Sequence, residues 1–267
     1  MKQSLSLLQQ GIVGFLQSNE SWLRPLLTER VFDGLDWQRE AEKIIDKSLI
    51  YPDYYKQDFH SVDGGYLNPD AALTYDPITN RILFPSEEMI RSETAAMFKP
   101  DITTVLDLAC GTGTATRAVA KRFPNAQITG IDLSPYMLVA AKVKADAAQL
   151  KNISFQHANA EYLPFADQSF DAVTASLLFH ELPPDAGLKV MREALRVLKP
   201  NGEFVVFDGA QSGIYKLGGN LSKELFLEPY AEAFLSGNLR QTMTDAGFTK
   251  TSSHPLLLLY DLRKGVK

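Results

Sequence analysis

Hydrophobic and polar residues alternate in two different rhythms along this chain, and the change falls near Pro85. Before it, apolar positions recur at helical spacing over roughly residues 3–17, 21–32 and 36–48. In the first of these, Leu5, Leu8, Ile12, Phe15 and Leu16 share one face. That face is read as packing on the protein's own core, with a membrane surface or partner as the alternative. The stretch YPDYYKQDFHSVDGGYLNPDAALTYDP, residues 51–77, is rich in Tyr, Asp, Gly and Pro, a composition that favours turns over regular elements. Ser86 then suits an N-cap, with Glu87 and Glu88 in the first turn of a helix reaching about Lys99.

From there strands and helices alternate. ITTVLDLA reads as a strand buried on both faces, a helix follows over about 113–123, and QITGIDL is the second strand. Ser134 and Pro135 supply an N-cap and N1 proline for the helix YMLVAAKVKADAAQL. ISFQHA, a short helix or loop to Asp167, FDAVTASLL, the helix GLKVMREALRVLK and the strand GEFVVFD complete the pattern. This spacing predicts an α/β fold with a mostly parallel sheet covered by helices on both faces. LRQTMTDAGF reads as a helix closed by Gly247, and residues 249–265 hold two strand-like runs around Pro255, an antiparallel terminal hairpin. The division that follows is an N-terminal helical cap over 1–85 and an α/β domain over 86–267, with an insertion at about 209–236.

Composition narrows the function classes. Of 267 residues, 45% are hydrophobic and 22% charged, and the net charge of −5 argues against nucleic acid or an anionic membrane as a partner. No apolar run approaches the roughly 18 residues of a membrane span. Lys2 ahead of Leu5, Leu7 and Leu8 imitates a signal peptide, but Gln9, Gln10 and Gln17 interrupt the run and no small-residue cleavage site follows. The single cysteine, Cys110, rules out an intrachain disulfide and a multi-thiolate zinc site, and fits a cytoplasmic location. No Asp, Glu and His residues stand at metal-ligand spacing, so no metal site is expected; an ion held jointly with a catechol-like substrate stays open. The oligomeric state is also open, a homodimer included.

The chemistry gathers around VLDLACGTGT, residues 105–114. Gly111 and Gly113, without Cβ atoms, let a backbone approach a ligand closely. The third glycine of the dinucleotide fingerprint is replaced by Thr116. Asp107 at the strand end would repel a pyrophosphate but attract a cationic amino acid, which tilts the reading towards S-adenosylmethionine with its ammonium and sulfonium. Asp132, at the end of the next strand, can accept from both ribose hydroxyls, or else serve as a turn residue ahead of Ser134. Leu133 and Met137 can pack on adenine, Asn159 can bond its edge, and the Ala160 N–H is a second donor.

Four blocks, VLDLACGTGT, GIDLSPYML, ANAEYLPFADQSFDAV and REALRVLKPNGEFVVFD, cover residues 105–208. In order and spacing they resemble the class I S-adenosylmethionine-dependent methyltransferases, especially the small-molecule branch that includes ubiquinone and menaquinone methyltransferases. The resemblance implies a Rossmann-like seven-stranded sheet of order 3-2-1-4-5-7-6, with the cofactor at the carboxyl ends of the strands. It implies S-adenosyl-L-methionine as methyl donor, S-adenosyl-L-homocysteine as product, and a small-molecule acceptor. Asp107, Gly111 and Gly113 would face the methionine part, Asp132 the ribose, Asn159 and Ala160 the adenine, and Leu177 the site after the fourth strand. The family often has aspartate where this chain has Asn159. Tyr75 resembles a tyrosine that relatives place near the methionine end.

In-line methyl transfer needs few catalytic side chains, and a base where the nucleophile carries a proton. His180, in SLLFHELPP at the rim past the fourth strand, is the first candidate, Glu181 the second, and His60 a third if residues 51–77 fold over the cofactor. Each has a structural alternative: His180 as a pocket-shaping or turn residue, and Tyr54, Tyr55, Tyr66 and Tyr75 as packing residues. His157 and His254 are read as structural, His157 without a special partner. Aromatic residues here and in 209–236, including Tyr215, Phe226, Tyr230 and Phe234, favour an enclosed apolar pocket for a small acceptor. The rivals are another transferase on the same fold and a non-catalytic binding module.

Overall fold

The computed structural model describes residues 30–57, 62–82, 86–211, 229–256 and 259–267. Its centre is a seven-stranded sheet of order β3-β2-β1-β4-β5-β7-β6. The strands are β1 (Thr104–Leu108), β2 (Gln127–Asp132), β3 (Ile153–His157), β4 (Phe170–Ser176), β5 (Leu198–Gly209), β6 (Thr249–Leu256) and β7 (Tyr260–Val266). β1 pairs in parallel with β2 and β4, and the parallel ladder continues to β3 and β5. β7 lies antiparallel to β5, and β6 antiparallel to β7. Pro255 is not between the two hairpin strands but within β6, opposite Asp261. This is an edge strand, where a missing N–H is tolerated.

The helices follow the expected local signals except near the start. α1 (Trp37–Glu42) is capped by Asp36, which accepts from the Arg39 N–H at 3.1 Å. It stops well short of residue 48, because the Asp46 N–H donates to His157 Nδ1 at 2.9 Å and the chain turns there. His157 therefore does have partners, Tyr51 and the Leu133 carbonyl among them. Residues 69–77, expected as turns, form the larger part of α2 (Pro69–Ile82). Pro69 starts this helix, and Asn68 Oδ1 accepts the Asp70 N–H at 2.9 Å. Pro77 removes one donor inside it, as any proline must.

α3 (Glu87–Ala96), α4 (Thr114–Arg122), α5 (Pro135–Ala147) and α6 (Pro184–Val197) are the remaining helices before β5. Ser86 and Ser134 cap α3 and α5 as their sequences predict, accepting from Met89 and Met137. α7 (Ala231–Ser236) and α8 (Leu239–Ala246) follow, and Gly247 closes α8 at φ 110°. The helical pattern over 3–17, most of that over 21–32, His60, Tyr215 and Phe226 lie outside the described residues.

Strand parity explains the two cores. Leu106, Leu108, Val173, Ala175, Phe204 and Val206 point to the α6 and α8 side. Val105, Ala172, Val205 and Phe207 point to the side of α3 and α4. A third cluster joins Phe32, Tyr66, Ala71 and Ala72 to Met137 and Ala140 of α5, seating residues before the sheet over its carboxyl end. Among the described residues, no helix is long and apolar enough to cross a membrane.

Candidate functional site

β1 ends at Leu108, and the chain reverses over Ala109–Gly113 before α4 begins. Ala109, Gly111 and Gly113 all take left-handed φ values of 51°, 54° and 76°. The turn is pinned by Cys110 N–H to the Ile131 carbonyl (2.8 Å) and Gly113 N–H to the Cys110 carbonyl (2.9 Å). The two glycines serve different ends. A Cβ on Gly111 would meet nothing within 4 Å, whereas one on Gly113 would lie 3.0 Å from the Ala141 Cβ. Gly111 opens onto a cavity; Gly113 lets α4 close on α5.

That cavity lies at the carboxyl ends of β1, β2 and β4 and holds about 760 Å³ of non-atom space, open solvent included. Gly111, Asp132, Leu133 and Met137 line it, as do Asn159, Ala160, Leu177 and Tyr75. Asp132 Oδ2 accepts the Gly111 N–H and Oδ1 the Ser134 N–H, each at 2.8 Å. Burial raises its pKa to about 6, against the pull of those two backbone donors. Asn159 Oδ1 accepts the Glu161 N–H at 2.9 Å. Leu177 also has a left-handed φ, 55°.

Asp107 and Gly113 are not among the residues lining this cavity. Asp107 lines a smaller adjoining chamber with Glu87 and Arg91, and Tyr75, Ala109, Gly111 and Ser176 border both spaces. Asp107 is 1% exposed, and its Oδ2 accepts from Thr116 at 2.5 Å. Burial pushes its pKa up to about 7, although the Thr116 hydroxyl and the Arg91 charge oppose this. Arg91 is fixed by Glu87 at 3.0 Å, both nearly fully buried. Among the described residues, Asp107 Oδ1, Arg91 Nη1 and Ser176 Oγ are buried without a hydrogen-bond partner. Unmade buried hydrogen bonds are costly. A carboxylate and a guanidinium both short of a partner complement an amino-acid zwitterion, ammonium to Asp107 and carboxylate to Arg91.

The base candidates separate. Glu181 lines the cavity and accepts from the Tyr66 hydroxyl at 2.7 Å. His180 does not line it, contrary to its expected place at the rim. Its Nδ1 lies 2.7 Å from Asp208 Oδ1, its Nε2 is 3.8 Å from Glu181, and its ring meets Phe234 edge-on. Burial works to raise the Asp208 pKa, but the facing imidazole, the Gly209 N–H and Arg263 hold it below the usual range. His180 therefore backs Glu181 rather than facing the cavity.

Tyr54, Tyr55 and Tyr66 line the cavity as well. Tyr54 donates to Glu161 at 2.7 Å and meets Tyr230 edge-on. Sequence reasoning missed Arg91, Asp208 and the Tyr66–Glu181 bond; Asp208 meets His180 across 28 residues, and Tyr66 meets Glu181 across 115. The two strand-like acidic ends, Asp107 and Asp132, were visible because the loop beside each is local.

The methyltransferase-domain family matches residues 105–202. A demethylmenaquinone methyltransferase of Listeria welshimeri is 36% identical over 143 residues, 53% of this chain, and the match spans only 60% of that relative's length. A structure described as a SAM-dependent methyltransferase from Aquifex aeolicus covers 74% of this chain and 98% of its own, with a TM-score of 0.54 and 18% identity. Human N-acetylserotonin methyltransferase, solved in complex with SAM, covers 76% of this chain and 57% of its own, with a TM-score of 0.55 and 16% identity. At these identities the two solved structures speak for the fold, and the matched sequence for the domain. Residues 105–202, within the sheet of order 3-2-1-4-5-7-6, thus match a methyltransferase-domain family, and over 143 residues the chain resembles the demethylmenaquinone methyltransferases.

Proposed function

We propose that this protein transfers the methyl group of S-adenosyl-L-methionine to a small organic acceptor, and that it does so in the cytoplasm, where its single cysteine stays reduced. The observation that carries the reading is the small chamber with Asp107 and Arg91 each short of a buried partner. Its charges fit the methionine end of that molecule and would gain nothing from a dinucleotide. When bound, S-adenosylmethionine supplies a methyl on a positive sulfur, which departs as the neutral thioether of S-adenosylhomocysteine.

The residues divide the remaining work. Asp107 and Arg91 hold the zwitterion, Asp132 the ribose, and Leu133, Met137, Asn159 and Ala160 the adenine. Tyr75, which borders both spaces, offers its ring to the sulfonium. Tyr54, Tyr55, Tyr66 and Leu177 wall the space left for the acceptor, and orienting it there against the methyl carbon accounts for most of the rate. Glu181 takes the acceptor's proton, with His180 and Asp208 behind it. Residues 1–85 act as a cap that completes this wall, and 209–236 as a lid, a role supported by Phe234 against His180 and Tyr230 against Tyr54.

Calorimetric titration of S-adenosylmethionine and S-adenosylhomocysteine into wild type and Asp132→Ala tests the reading. Both molecules should bind the wild type, and the variant should bind at least about tenfold more weakly, a loss of about 1.4 kcal/mol. A folded wild type that binds neither refutes it.

A further inference from the structure

The glycine loop is fastened from outside the sheet domain by a buried carboxylate to which neither the family match nor the sequence reading gives a role. Asp76 sits on α2, next to Tyr75, and is 4% exposed. It accepts from Thr112, the residue between the two loop glycines, and pairs with Lys144 of α5. Thr112 is 1% and Lys144 8% exposed. Thr114, at the start of α4, lies 3.4 Å from the second Asp76 oxygen. Arg117 completes the knot, donating to the Thr112 carbonyl at 2.8 Å and to the Thr114 hydroxyl at 3.2 Å. The Lys144 ammonium also stands 5.2 Å over the ring of Phe32.

A core ion pair is weak evidence for stability in itself, because desolvating both charges offsets their attraction. Its use lies in what it fixes. Three separate pieces, α2, the glycine loop and α5, are tied together at the Asp76 carboxyl. On one side of that carboxyl, Tyr75 borders both the main cavity and the Asp107 chamber; on the other, Thr112 and Gly111 border the chamber. We propose that Asp76 is a positioning residue for the methyl donor: through Thr112 it locks the glycine loop to the cap helix, so that donor binding and seating of α2 are one event. This rests on the functional reading above. It adds that the cap takes part in cofactor affinity through the glycine loop, and not only through the Tyr75 ring.

The test uses the full chain, S-adenosylhomocysteine as the probe, and two variants. Thr112→Val removes only the hydroxyl and leaves the ion pair. Asp76→Asn combined with Lys144→Met removes both charges together, leaving no uncompensated buried ion. Affinity is read by calorimetry, and backbone amide exchange over 69–82 and 109–114 by mass spectrometry at saturating ligand. In wild type the ligand should slow exchange in both segments. In both variants it should bind at least about tenfold more weakly, and at saturation slow 109–114 but no longer 69–82. Variants that bind like wild type and still gain protection over 69–82 overturn the assignment, whatever their melting temperature. A wild type that does not bind the ligand overturns the functional reading, and this inference falls with it.

Discussion

Asp107→Asn keeps the shape of a buried side chain and deletes its charge, and the structure predicts effects of opposite sign on stability and on binding. Burial carries this acid from 3.8 to about 7, which at about 1.4 kcal/mol per pH unit amounts to about 4 kcal/mol. The folded protein holds the proton more tightly than the unfolded chain does. The stabilisation this brings is complete below the unfolded value of 3.8 and is lost as pH rises through about 7. Asparagine cannot ionise, so the variant escapes that loss. Its advantage over wild type in the ligand-free protein should grow by about 3 kcal/mol between pH 5 and pH 8. Arg91 keeps its Glu87 partner in the variant, so no new buried charge is orphaned. Urea unfolding at the two pH values measures this. Binding should run the other way, because a ligand ammonium needs the carboxylate. Wild-type affinity for S-adenosylhomocysteine should rise from pH 5 to pH 8, while the variant binds weakly with little pH dependence. A variant less stable than wild type at pH 8, with the same pH slope, would refute the reasoning.

Two further outcomes follow from the site. Gly113→Ala places a Cβ 3.0 Å from Ala141 at a φ of 76°, and should cost about 1–3 kcal/mol in urea unfolding. Gly111→Ala meets no neighbour, so it should cost less stability, at about 1–2 kcal/mol for the left-handed backbone, but weaken cofactor binding more; equal profiles for the two variants would contradict the division of roles. Glu181→Gln should lower methyl transfer about 100- to 10,000-fold with cofactor affinity kept within a few-fold. Release of S-adenosylhomocysteine, with an acceptor that wild type methylates, reports it, and undiminished turnover removes Glu181 as the base.

The alternation of strands and helices and the residues on the sheet's carboxyl edge were legible because each signal is local, whereas the strand order rested on the family resemblance. A strand, an acidic residue and a glycine turn occupy adjacent positions at Asp107–Gly113, and Ser134 with Pro135 announces α5. Residues 69–77 depart from the expected turns for a reason equally local: Asp70, Asp76 and Pro77 suggest turns, and the chain is helical there. Yet the start signal Asn68–Pro69–Asp70 was present, and burial of Ala71 and Ala72 against Met137 and Ala140 decided the outcome. What no local rule could give is contact across the fold. His180 is set back by Asp208 from the neighbouring strand, 28 residues on. Asp76 meets Thr112 36 residues away, and Tyr66 meets Glu181 across 115. Hydrophobic periodicity says that such side chains are inside, and nothing about which of them face each other.

The last strand has a bearing on how copies of this chain can associate. β6 is the outer member of the hairpin, and an open strand edge invites a second sheet to dock and continue it. Here the edge reads TKTSSHPL; the pairing slips between Thr249 and Ser252, and Pro255 presents no N–H. A ladder arriving from another molecule would meet a polar strand of irregular register that carries a proline. This edge disfavours association by strand addition.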